Sequence, residues 1–129
     1  MTYTVFPVVA GDLDAEDGKL VRLARTAALR AHVSAPGTGQ GAAVRDSDGR
    51  TYAAATVEHP DARLTTSALR GALSAAFSSG ARRFEALVVL PAGPDGLSDD
   101  DRTLVAALAP GTPVLCADLS GAVVGVVSA

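Results

Sequence analysis

The chain has 129 residues, 48% of them hydrophobic but only 4% aromatic, and a formal charge of -3. That length fits one domain able to bury roughly two-thirds of its unfolded surface, with a core made of Ala, Val and Leu. The acidic balance, with 11 basic residues (nearly all Arg) spread along the sequence, excludes the clustered basic face of a nucleic-acid binder.

A lone cysteine, Cys116, can form neither an internal disulfide nor a thiolate cluster for zinc. Its apolar run, Pro113 to Ala117, reads as a buried strand, with the thiol acting as a small hydrophobe. Val5 to Ala10 is too short for a secretory core and lacks a basic flank. No run approaches the roughly 20 apolar residues of a membrane span. A soluble, cytoplasmic protein without a membrane partner is expected.

Residues 2–10 are extended and apolar, compatible either with a short edge strand or with an arm laid on a neighbour. Residues 1–12 read as an N-terminal extension. Asp14 has the character of an N-cap, with Asp17 at the third helical position. Leu20, Leu23, Ala24, Ala27, Ala28 and Ala31 then recur at helical spacing, predicting an amphipathic helix that ends near His32. Ser34 to Gly41 is a Gly/Pro-rich loop. It follows a helix and precedes a strand, the reverse of a phosphate-cradling loop.

Gly41 to Arg45 and Thr51 to Val57, joined by Asp46-Ser47-Asp48-Gly49-Arg50, predict a β-hairpin with a surface turn. The Asp46/Asp48 pair lacks the glutamate a calcium loop requires. Next comes the stretch around which the chain is organised, Leu64-Thr65-Thr66-Ser67-Ala68-Leu69-Arg70-Gly71-Ala72-Leu73. Thr66 or Ser67 can cap a helix presenting Ala68, Leu69, Ala72, Leu73, Ala76 and Phe77, with Gly80 as its stop. Ala86 to Leu90 is an unbroken apolar run suited to a central strand. Ser98 caps a third helix through Leu104, Val105 and Leu108. Strands over 113–117 and 122–127 are too closely linked to be other than antiparallel. The expected architecture is α/β: one domain over residues 1–129, with a mixed five-stranded sheet and three helices in three layers. The helical links predict parallel crossovers between the second and third, and third and fourth, strands.

This order resembles that of the small cytidine deaminases, and particular residues carry the likeness. Gly41-Ala42-Ala43-Val44 with Asp48-Gly49-Arg50 is similar to the family's V-G-A-A-L and D-G-R turn. Thr56-Val57-Glu58-His59 stands where the family has N-V-E-N. Leu64 to Leu73 lies without a gap on L-T-x-C-A-E-R-x-A-L. Leu97-Ser98-Asp99-Asp100-Asp101-Arg102 lies on P-C-x-x-C-R. The resemblance covers roughly residues 13–127.

The departures from the family fall on its chemistry. There, three side chains hold a zinc ion whose bound water becomes the attacking hydroxide, and a glutamate shuttles protons. Here the ligand positions are Ser67, Ser98 and Asp101, a poor set for zinc beside thiolates or imidazoles. The glutamate position is Leu69, which carries no proton. The base-stacking aromatic falls on Thr38 and the ribose-binding Asn on Thr56, while Glu58 and Arg70 are retained. His32 and His59 lack the paired spacing of a metal site. The resemblance therefore implies a deaminase fold without zinc, without a cofactor and without deamination.

Two readings of the acidic triplet Asp99-Asp100-Asp101 stand. Arg70 pairs with Asp101 in place of a zinc–sulfur link, or the triplet is simply a favourable helix start. Leu69 is expected to fill or dry the old pocket. Three functions follow. The first is a pseudoenzyme acting through protein contacts, self-associating as a dimer or tetramer as the resemblance implies. The second is a small-molecule binder using Glu58, Thr56 and Thr38. The third, an enzyme with Ser67 or Ser98 as nucleophile, lacks any motif for a base.

Overall fold

Asp14 starts the first helix: its carboxylate accepts the N–H of Asp17 at 2.7 Å. The architecture comes from a computed structural model that describes residues 2–5 and 13–128. Helix α1 spans Ala15–Ala28 and buries Leu20, Val21 and Ala24, leaving Arg22 and Arg25 exposed. It stops short of the expected end near His32 for a backbone reason. The His32 N–H donates to the Thr56 carbonyl and the His32 carbonyl accepts from Glu58, so this segment pairs with Val57 instead of winding on.

The hairpin forms as read, from β2 (Gly41–Asp46) and β3 (Thr51–Ala55). Its turn residues Ser47 to Arg50 are exposed, but Asp46 is buried. The Asp46 carboxylate accepts the N–H groups of Asp48 and Arg50 and the Tyr52 hydroxyl, fixing the turn from beneath. Helix α2 (Ala68–Ser78) is capped by Ser67, and Gly80 turns the chain away at φ 100°. Strand β4 (Phe84–Leu90), helix α3 (Asp99–Leu108), β5 (Val114–Ala117) and β6 (Val123–Ser128) complete the domain.

The sheet has six strands rather than five, because Thr2–Val5 forms β1 and pairs antiparallel with β6. Of the two N-terminal readings the edge strand holds for residues 2–5; residues 6–12 lie outside those described. The order is β1-β6-β5-β4-β2-β3. The last two strands are antiparallel and α3 makes a parallel crossover from β4 to β5, as expected. The other crossover differs: β3 does not adjoin β4, because β2 lies between them, antiparallel to both. Burial explains this. Every residue of β2 is buried, whereas β3 alternates toward exposure, so β2 takes the inner place.

Side chains alternate across β4. Ala86, Val88 and Leu90 face α1, and Leu87 and Val89 face α2 and α3. On the α1 side one buried charge ties helix to sheet. Arg45 reaches Asp17 at 2.9 Å and Glu85 at 3.2 Å. On the opposite side, Leu69, Leu73, Leu87 and Val105 pack in the larger core cluster, under the start of α2.

Candidate functional site

Helices α2 and α3 begin at one place on the α2/α3 face of the sheet. Ser67 has an extended backbone, and its Oγ accepts the Arg70 N–H at 3.1 Å, satisfying one of the donors a helix start leaves unpaired. Ser98 does the same for α3, accepting the Asp101 N–H at 3.2 Å. The two ends are joined directly, because the Ser67 hydroxyl donates to Asp101 Oδ1 at 2.8 Å.

Asp101 is only 5% exposed, unlike Asp99 and Asp100 on the same turn. Burial pushes its carboxyl above the usual aspartate value, opposed by the Ser67 hydrogen bond and the more distant charge of Arg70. Of the two readings of the acidic triplet, the Arg70–Asp101 salt bridge does not form. Among the described residues the ion pairs are Lys19–Glu16, Arg45–Asp17, Arg45–Glu85 and Arg63–Asp61. Arg70 is exposed, and it is the Ser67 hydroxyl that hydrogen-bonds the carboxylate.

A cleft of about 630 Å³ opens over this junction, lined by Glu58, Arg63, Ser67, Arg70, Ser98 and Asp101 among others. The structure thus gathers five of the sequence-predicted positions. Leu69 is fully buried in the core and not part of the cleft lining. Thr56 and Thr38 are absent from the lining as well. Thr56 Oγ1 accepts the Gln40 N–H at 2.9 Å and serves the hairpin base. Thr38 is exposed, its hydroxyl donating to the Ala35 carbonyl at 2.6 Å.

Glu58 closes a loop contact: its Oε1 accepts both the N–H and the hydroxyl of Ser34. These bonds hold its carboxyl below the ordinary glutamate range. Ser34 was not legible as a partner, since it lies 24 residues away in a loop without local signal. The Arg63–Asp61 pair, of which Arg63 lines the cleft, was missed as well. The only hint in the sequence is their i, i+2 spacing before the helix start.

The residues at the three ligand positions do not fit a zinc ion. Two are neutral hydroxyls whose oxygens already accept backbone N–H groups, and the one carboxylate already accepts a hydrogen bond. Among the described residues no group of three or more His, Cys, Asp or Glu side chains is placed to hold a metal.

Residues 13–121 match the family model described as cytidine deaminase-like. The chain belongs to the cytidine deaminase-like family. Among solved structures it is similar to the cytidine deaminase of Burkholderia pseudomallei, at 28% identity and a TM-score of 0.76 over 85% of this chain and 90% of that one. The cytidine deaminase of Mycobacterium tuberculosis matches at 26% identity and 0.67, over 80% and 85%. That of Mycobacterium leprae, at 21% and 0.71 over 89% and 94%, shows likeness of fold alone. No curated protein sequence matches the chain. Within the cytidine deaminase-like fold, then, this member carries a hydrogen-bonded Ser/Asp junction in the cleft lining, with Leu69 buried in the core outside that lining. Among the described helices none is long and apolar enough to cross a membrane.

Proposed function

We propose that this chain is a zinc-free cytidine deaminase-like protein that does not deaminate, and that it works in the cytoplasm as a self-assembling, protein-binding subunit. The observation that carries the reading is Leu69. It stands where the resemblance puts the proton shuttle, and it is a fully buried member of the hydrophobic core. An alkyl side chain neither gives nor takes a proton, so the chemistry of the family has no carrier there. The commitment of Ser67 and Asp101 to each other supports the same conclusion.

Exposed apolar side chains support the assembly role: Leu29 is 84% exposed, and Leu64, Leu119 and Val57 lie half or more open. The deciding experiment measures cytidine turnover and zinc content of the purified protein together with its mass in solution by light scattering. Expected are no turnover above the uncatalysed rate, zinc far below one per chain, and a dimer or tetramer. Measurable turnover dependent on bound zinc would overturn the reading.

A second reading, a small-molecule binder, rests on the 630 Å³ cleft and its hydroxyl and carboxylate lining beside Glu58. A thermal-shift screen of nucleosides and nucleotides separates the two. A stabilising nucleoside whose effect disappears in Glu58→Ala favours the binder.

A further inference from the structure

Each helix N-terminus leaves backbone N–H groups unpaired and carries partial positive charge, so two such ends set together repel unless negative charge is supplied between them. In this chain one continuous series of hydrogen bonds connects them. Ser98 Oγ accepts the Asp101 N–H at 3.2 Å, Asp101 Oδ1 accepts the Ser67 hydroxyl at 2.8 Å, and Ser67 Oγ accepts the Arg70 N–H at 3.1 Å. A single seryl oxygen therefore caps α2 and grips α3.

We propose that the Ser67–Asp101 hydrogen bond is a metal-free tie between α2 and α3, standing in for a metal bridge and fixing the two walls of the cleft. The proposal rests on the zinc-free reading and deepens it by naming what holds the site together instead. Burial argues that the tie is built into the fold. Asp101 is 5% exposed while its neighbours Asp99 and Asp100 are open to solvent, so of the three acids one is turned inward, toward the seryl hydroxyl.

A double-mutant cycle on Ser67→Ala, Asp101→Ala and the pair tests the tie by thermal unfolding. Each single substitution is expected to lower the midpoint by roughly 5 °C, and the double variant by clearly less than the sum. Should an alanine variant not fold, Asp101→Asn and Asp101→Leu replace it. The amide still accepts the seryl proton and keeps the coupling to Ser67, and the leucine loses it. Zinc content and the midpoint in EDTA are read on the same samples, with little zinc and an unmoved midpoint expected. Strictly additive losses in zinc-free protein overturn the tie and leave the zinc-free reading standing. Zinc near one per chain, with a midpoint that falls in EDTA, overturns both.

Discussion

Gly41, at the start of β2, runs so close beneath α1 that a Cβ on it would overlap the carbonyl oxygen of Ala24 and lie 2.5 Å from the Ala28 nitrogen. Both obstacles are backbone, so neither can turn aside as a side chain would. Gly41→Ala should therefore force α1 off the sheet and cost about 3 kcal/mol, the upper range for overpacking a core. Urea denaturation gives the number; a loss under about 0.5 kcal/mol would show that the helix moves freely.

Putting back the family's acid is not expected to put back the reaction. Leu69→Glu places a carboxylate where the side chain is fully buried and its neighbours are apolar. The expected cost is on the order of 3–5 kcal/mol, as for an uncompensated buried charge, with no cytidine turnover gained. A variant as stable as the parent would mean that water reaches this position.

Acid sensitivity should trace in part to Glu58. The hydroxyl and N–H of Ser34 hold its folded-state carboxyl below the ordinary 4.5. A carboxyl with a lowered folded value binds fewer protons in the folded state. The stability this contact gives is thus complete above about pH 4.5 and is lost as pH falls through the folded value. Glu58→Gln is expected to melt lower than the parent at pH 7, with the gap narrowing below pH 4.5. A gap that stays constant from pH 7 to 3 would assign the difference to shape, not to charge.

Cys116 should be inert while the protein is folded. It is fully buried in β5, and burial pushes its thiol up to about 11. Little thiolate is present at pH 8, and reagent cannot reach it. Ellman's reagent is expected to label it slowly in buffer and quickly in concentrated guanidinium chloride. Equal rates in both would place the thiol at the surface.

What the sequence made legible was local. Asp14 and Ser98 each mark a helix start by the chemistry of one oxygen and the apolar spacing that follows, and both cap as read, while of Thr66 and Ser67 it is Ser67 that caps. The choice of neighbours in the sheet depends on which member of a hairpin is buried on both faces. The all-buried Gly41-Ala42-Ala43-Val44 strand could have signalled that β2 and not β3 lies beside β4. The resemblance to the cytidine deaminases implied one place for Ser67, Ser98 and Asp101, but it could not say whether Arg70 or Ser67 would reach Asp101. A rotatable hydroxyl 34 residues from its acceptor leaves no local trace. Thr38 and Thr56 were assigned to the site by position in a motif, yet each is held by a hydrogen bond within its own loop or hairpin.

The pairing of β1 with β6 sets Thr2 directly across from Ser128. Neighbouring strands lie about 4.8 Å apart, so a linker of a few residues could join these positions without disturbing the ladder. The exposed turn at Ser47 to Gly49 could then be opened to give new ends. A circular permutant of this kind would keep the capped starts of α2 and α3 intact, while presenting its fusion point at the opposite edge of the sheet.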